Sequence, residues 1–198
     1  MSWVLANLPT IAGHLLAHLL QAVPAIVASF VLAIPIARLA RVARPLRAVL
    51  VTGSSLLYAV PSLALFVILP IILATGIRDP LNVIVALTLY GLALLVPATA
   101  DALDAVDARV LDAATAMGMG RLRCFLTVEL PLAGPAILTG LRVVTVSTIS
   151  LTTVGAVLGV RSLGWLFTDG FQRGITAEIV TGLVAPAALA LVLDGPVL

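Results

Sequence analysis

The stretch LNVIVALTLYGLALLVPATA, residues 81–100, runs for twenty residues without a formal charge. An α-helix needs about 20 predominantly apolar residues to cross the hydrocarbon core of a bilayer. This stretch therefore predicts one membrane-spanning helix. The whole chain has the same character, because 62% of its residues are hydrophobic, 10% are charged and the mean hydropathy is +1.23. A soluble domain has about 25% charged residues.

Four more apolar runs lie on either side of this stretch, and short polar segments separate them. Prolines recur in all five runs; each removes a backbone hydrogen bond that neighbouring helices or a polar cavity must replace, a pattern typical of a transporter. The sequence thus predicts an all-α bundle of five spans that forms one domain over residues 1–198. The other runs cover residues 11–37, 48–74, 132–158 and 177–193, and a loop containing glycines and aromatic residues is expected over residues 159–174.

All eleven basic residues are arginine. A phosphate-binding loop of the Walker type needs a lysine, so this chain cannot contain one. The single cysteine, Cys124, excludes an internal disulfide and a cysteine-based metal cluster. The net charge of +2 comes from arginines at the ends of spans, which indicates membrane topology and not nucleic-acid binding.

The arginines are distributed unequally between the two sides of the membrane. Cytoplasmic loops of membrane proteins carry the excess of positive charge. An outside N-terminus and an inside C-terminus place seven arginines inside and three outside, so we expect this orientation. The inside set is Arg38, Arg41, Arg44, Arg47, Arg109, Arg121 and Arg123, and the outside set is Arg78, Arg161 and Arg173.

The longest polar stretch, residues 101–131, then lies in the cytoplasm. It contains Asp112-Ala-Ala-Thr-Ala-Met-Gly118, nine further residues, and Val128-Glu-Leu-Pro131. Small alanines let a short helix approach another protein closely, and glycine permits a sharp turn after it. Proline suits the first turn of the helix that follows.

This segment resembles the E-A-A-x-x-x-G-x9-I-x-L-P loop of bacterial ABC importer permeases, with Asp for Glu and Val for Ile. The resemblance implies a permease subunit in the bacterial inner membrane, surrounded by lipid and without an enzymatic site of its own. Its partners would be ABC ATPase subunits that bind ATP and Mg²⁺, an extracytoplasmic solute-binding protein and a second permease. The residues expected to couple to the ATPase are Asp112, Ala113, Ala114, Met117, Gly118, Val128, Leu130 and Pro131.

Two other segments narrow the resemblance. Tyr58-Ala-Val-Pro-Ser-Leu-Ala-Leu-Phe66 and Gly182-Leu-Val-Ala-Pro-Ala-Ala-Leu-Ala190 are similar to spans of glycine betaine/carnitine/choline permeases. The resemblance implies a quaternary-ammonium osmolyte as substrate. Methionine or another amino acid is the alternative, since methionine permeases share the motif and the five-span plan.

Polar residues within the spans are candidates for a translocation path. Tyr58 and Tyr90 could contact a quaternary ammonium through their ring faces, although an aromatic residue in a span more often serves packing. Pro61 and Ser62 follow Tyr58. Thr145, Thr148 and Thr152 share one face of the fourth span. Small residues on one helix face also favour close helix packing in membranes, so a path and a packing interface are equal alternatives for the threonines.

Two further patterns suggest chemistry. His14 and His18 share a helix face and could bind a metal, but no third ligand is visible nearby, so we assign no metal site. Asp101, Asp104, Asp107 and Asp112 could hold Mg²⁺ in a membrane-embedded lipid transferase. They lack the spacing of that enzyme class and fit better as solvated residues of the cytoplasmic loop.

Overall fold

The structure is a computed structural model that describes residues 2–42 and 44–195, and every regular element in that part of the chain is helical. Met1, Ala43 and residues 196–198 lie outside what it describes, as do the side chains of Ser2, Val42, Arg44, Pro45 and Leu46. The α-helices are α1 (Ser2–Ala6), α2 (Leu8–Val42), α3 (Arg44–Leu57), α4 (Ser62–Leu73), α5 (Pro80–Asp104), α6 (Ala108–Ala116), α7 (Arg121–Cys124), α8 (Leu130–Thr152), α9 (Gly164–Arg173) and α10 (Thr176–Asp194). A π-helical segment, Phe125–Glu129, precedes α8, and a 3₁₀ segment, Thr153–Leu158, follows it.

Five spans cross the bundle, as the sequence predicts. Four are single helices: α2, α5, α8 with its flanking segments, and α10. The fifth consists of α3 and α4, which meet at an angle of 108°. Val51 of α3 packs with Ala37 and Leu103 near the cytoplasmic-loop end, whereas Phe66 of α4 packs with Val83 near the opposite end. The chain therefore passes from one end of the bundle to the other, and the bent pair is a broken span.

The break in this span leaves backbone groups without helical partners. Tyr90 of α5 satisfies one of these groups, because its hydroxyl donates a hydrogen bond to the Val60 carbonyl at 2.5 Å. Tyr58 lies edge-on to Tyr90, with 5.9 Å between ring centroids. Non-helical backbone persists at membrane depth only where protein groups or a polar cavity satisfy it. The first amide N–H groups of a helix have no partner within that helix. Pro61, which directly precedes α4, has no N–H and therefore adds no further unpaired donor.

Glycines set the closest helix contacts. A Cβ on Gly91 of α5 would lie 2.1 Å from the Ser29 hydroxyl oxygen of α2. A Cβ on Gly182 of α10 would lie 2.5 Å from the backbone nitrogen of Phe167 in α9. In membranes, where burial from lipid adds little driving force, such small residues let helix backbones approach closely.

The loop expected over residues 159–174 is only partly a loop. It contains α9, which begins at Gly164 and ends before Gly174, whose φ of 67° stops the helix. A Cβ on Gly164 would lie 2.3 Å from the Thr153 carbonyl oxygen, so this glycine serves close packing on the 3₁₀ segment. Two of the glycines that suggested a loop, Gly164 and Gly170, are therefore close-contact positions of a helix.

The Gly182 contact can be tested by adding one methyl group. We expect Gly182→Ala to lower the free energy of unfolding by about 1–3 kcal/mol, because the methyl meets backbone atoms that cannot move aside. Gly134→Ala in α8 is the matched control, since nothing lies within 4 Å of its added Cβ. SDS titration of the detergent-solubilised protein measures both changes. Equal stability of the two variants would contradict the close contact.

Candidate functional site

The polar segment between α5 and α8 folds as a short helix followed by a turn. Asp107 begins α6, where its side chain accepts from the Arg109 backbone N–H at 2.9 Å. Gly118 has a φ of 84°, a conformation that side chains with a Cβ adopt rarely. The chain therefore turns sharply at Gly118, as expected, and enters α7 and the π-helical segment.

The motif residues of this segment divide into an outer and an inner set. Asp112, Ala113 and Gly118 are exposed, and Met117 is 73% exposed. Ala114 is buried against the chain's own helices, and Val128 and Leu130 are half-buried. Pro131 is the second residue of α8 and is exposed. The outer set forms a surface open to a partner, while the inner set holds the segment to the bundle.

A cluster of opposite charges fixes the segment to three other elements. Arg41 of α2 pairs with Glu129 of the π-helical segment and, at 3.3 Å, with Asp104 at the end of α5. Asp104 also accepts from Arg47 of α3. We call Arg41, Arg47, Asp104 and Glu129 the cytoplasmic charge cluster. Beside it, the Arg38 guanidinium lies 3.9 Å from the centroid of the Phe125 ring, a cation–π contact.

Two of the aspartates considered for Mg²⁺, Asp104 and Asp107, make other contacts in the structure. Asp104 is paired with two arginines, and Asp107 caps α6. Within residues 2–42 and 44–195, no three His, Cys, Asp or Glu side chains converge in a way that could hold a metal ion. This arrangement gives no support to a lipid transferase.

The residues expected to line a translocation path near the second span lie together at the break between α3 and α4. Tyr58 is 47% exposed and Tyr90 is buried, with the two rings in contact. Pro61 is exposed directly before α4, and Ser62 is its first residue, half-buried. The structure therefore brings these four residues together around one interruption of a helix.

The three threonines expected on a path lie elsewhere. Thr145, Thr148 and Thr152 are buried on the face of α8 that packs inside the bundle. The hydroxyl of Thr145 donates to the Leu141 carbonyl, and that of Thr152 donates to the Thr148 carbonyl. The hydroxyls of Thr145 and Thr152 are thus bonded within their own helix, and both interpretations of the three threonines, path and packing interface, stay predictions.

A different face of α8 lines open space. A cavity of about 520 Å³ lies between α8, α9 and α10, and a second cavity of about 390 Å³ adjoins it at Val146. Sequence inspection missed this face, although Arg142, Val146, Ser150 and Thr153 recur at helical spacing. The feature of the sequence that could have revealed this face is Arg142, a charged residue inside an apolar run. We call the two cavities together the α8–α10 groove.

The histidine pair lies at the opposite end of α2 from the charge cluster. His14 stacks on Trp165 of α9, with 4.7 Å between ring centroids and 10° between planes. His18 is fully buried. Gln21, one turn further along α2, donates to the Arg161 carbonyl at 2.7 Å. These residues join α2 to α9 and to the segment that precedes it.

Comparison with known proteins now decides the family. The model of binding-protein-dependent transport system inner membrane components matches residues 29–194. The chain belongs to this family. It is the permease subunit of an ABC importer, a multi-pass protein of the bacterial inner membrane. Permeases of this family act with an ATPase and a substrate-binding protein.

Two curated relatives and one solved structure are similar to the permease. It is 33% identical, over 75% of its length, to an ergothioneine transport permease/ergothioneine binding protein of Helicobacter pylori, and spans 26% of that longer protein. It is 28% identical, over 89% of its length and 76% of the relative's, to the glycine betaine/carnitine/choline permease OpuCD of Bacillus subtilis. The MetNI methionine transporter in an inward-facing form shares the fold, with a TM-score of 0.82 and 20% identity over 94% of this chain and 92% of the other.

The Arg41–Glu129 pair of the charge cluster can be tested with a double-mutant cycle of Arg41→Gln and Glu129→Gln. We expect a coupling free energy of about 0.5–3 kcal/mol, because both side chains are mostly buried. The control cycle, Arg173→Gln with Asp169→Asn, probes an i,i+4 pair in which the carboxylate raises the pKa of a largely exposed arginine. We expect a smaller coupling there. SDS titration measures both, and equal couplings would contradict the anchoring role.

Proposed function

We propose that this permease transports small quaternary-ammonium osmolytes such as glycine betaine, carnitine or choline. The named substrates of its curated relatives support this class, since ergothioneine, glycine betaine, carnitine and choline all carry a trimethylammonium group. The substrate moves by alternating access, driven by ATP and Mg²⁺ bound to partner ATPase subunits. The whole chain, residues 1–198, acts as one permease domain in the lipid bilayer.

The translocation path in this proposal follows the α8–α10 groove. Its larger cavity offers an apolar wall with a few hydroxyl groups, from Ser150, Thr153 and Thr168. Apolar pockets with a small number of placed polar groups suit small ligands. Such a wall matches the methyl surface of a trimethylammonium group. The tyrosine pair at the broken span, Tyr58 and Tyr90, supplies ring surface for the same cation.

The exposed face of α6 and the following turn serve as the docking surface for the ATPase. One observation carries this part of the proposal: Asp112, Ala113, Met117 and Gly118 are open to a partner, while the charge cluster ties the same segment to α2, α3 and α5. A displacement of α6 is therefore transmitted to α2, α3 and α5 together. The excess of arginine at this end of the bundle supports its cytoplasmic position.

A second permease, identical or similar, completes the path. The groove lies on the side of the bundle, between α8 and α10, and so needs a second wall. A second copy supplies that wall in the manner of a two-fold symmetric dimer. An extracytoplasmic binding protein delivers the solute to the opposite end of the bundle from α6.

The coupling role predicts a specific effect of Gly118→Leu. We expect the variant to insert normally and to lose most solute uptake, because leucine disfavours the left-handed turn that positions α6. Gly120→Leu is the matched control, since Gly120 has a φ of −67° and open space around it. Uptake and membrane abundance are measured together. Normal uptake by Gly118→Leu, or an equal loss in Gly120→Leu, would refute the turn as the sensitive element.

The substrate class is tested by reconstituting the permease with its ATPase and binding protein in proteoliposomes. We expect binding protein loaded with glycine betaine or choline to stimulate ATP hydrolysis and uptake. Binding protein incubated with methionine or other amino acids is the comparison. Stimulation by the amino-acid form alone would make the osmolyte proposal wrong and leave the permease assignment intact.

A further inference from the structure

An ion pair in the α8–α10 groove joins two helices that are long and apolar enough to span a membrane. Arg142 Nε donates to Asp194 Oδ1 at 2.7 Å, and Arg142 Nη2 donates to Asp194 Oδ2 at 2.5 Å. The two side chains are 35% and 24% exposed. Arg142 lies twelve residues beyond Leu130, about 18 Å along α8. Charged residues within membrane spans are costly, and those that persist commonly mark substrate pathways.

The pair occupies one end of the groove. It lines the smaller cavity with Thr139, Val143 and Ser147, and Val146 joins that cavity to the larger one. Arg142 and Asp194 carry the only formal charges among the described residues that line either cavity. The larger cavity lies towards α9, and the ion pair lies towards the C-terminal end of α10. A solute that moves along the groove from the α9 end therefore meets the pair last.

We propose that Arg142 and Asp194 form a gate that a zwitterionic substrate opens by ion-pair exchange. The substrate carboxylate takes the place of Asp194 on Arg142, and its quaternary ammonium takes the place of Arg142 beside Asp194. This inference rests on the proposed function, because it places the substrate in the α8–α10 groove. It deepens that function by naming the chemical feature, two opposite charges, that the groove selects.

The exchange follows from the cost of separating the pair. An arginine and an aspartate pulled apart in a partly buried site each lose their counter-charge, which is strongly unfavourable. A zwitterion such as glycine betaine returns a counter-charge to both residues. A simple cation such as choline satisfies Asp194 only and leaves Arg142 unpaired. The gate therefore favours solutes that carry a carboxylate as well as the ammonium group.

The alternative role is a static one, in which the pair only fastens the end of α10 to α8. A pair that only fastens α10 to α8 changes the uptake of every solute by the same factor, because its effect is on the stability of the fold. A gate affects solutes according to their charge. The ratio of glycine betaine uptake to choline uptake separates the two roles, since overall loss of protein or of coupling cancels in the ratio.

The experiment uses proteoliposomes containing the complete transporter, with each solute supplied at saturating binding protein. In Arg142→Gln the betaine-to-choline ratio should fall by about tenfold, since one charge-assisted contact to the carboxylate is lost. In Asp194→Asn the ratio should rise, because Arg142 remains for the carboxylate and repels the cation. Opposite shifts of one ratio in the two variants are an outcome that a fastening role does not produce.

The double variant, Arg142→Gln with Asp194→Asn, removes both charges and so leaves no unpaired charge at the site. It takes the place of a single variant that does not accumulate in the membrane. Its ratio should fall below the wild-type value, because the carboxylate contact is absent. An unchanged ratio in the double variant, or equal loss of both solutes in the single variants, overturns the gate. If wild-type transporter moves neither solute but moves an amino acid, the proposed function fails instead, so the two failures are distinguishable.

Discussion

A low-dielectric bilayer admits formal charge only where an opposite charge accompanies it, and this constraint organises the permease. At one end of the bundle, Arg41 and Arg47 meet Asp104 and Glu129, so helices that are far apart in sequence share one set of ion pairs. Removing one partner would leave its counterpart charged at a partly buried site. The charge cluster therefore joins the C-terminal ends of α2 and α5 to the first turn of α3 and to the π-helical segment.

Between the charged end of the bundle and the opposite end, close packing holds the helices together. The contacts at Gly91 and Gly182 leave no room for a methyl group, and Tyr90 replaces a hydrogen bond that the broken span lacks. Lipid chains are as apolar as leucine, so burying leucine between helices adds little stability in a membrane. Close approach and satisfied backbone groups supply what hydrophobic burial supplies in a soluble protein. Ion pairs thus join the helices at one end of the bundle, and close packing joins them along the spans.

The sequence predicted the five spans, the position of α6 and the turn at Gly118, because each depends on local composition or on a short motif. It did not predict α9, since Gly164 and Gly170 resemble loop residues until their close neighbours are known. It also favoured neither use of the α8 threonines. Which face of a helix packs inward depends on its partners, and those lie far along the chain. Likewise, Arg142 and Asp194 are separated by 52 residues, and only the folded bundle joins them.

The π-helical segment Phe125–Glu129 has a further consequence for α8. A π-turn contains one residue more than an α-turn, and such insertions are frequent at functional sites. Each residue turns an α-helix by about 100°. The extra residue therefore sets the rotational phase of everything that follows, including which side of α8 faces the groove. Deleting one residue there would swing Arg142 away from Asp194 by roughly a quarter turn. The register of α8 in the bundle therefore depends on the geometry of this five-residue segment.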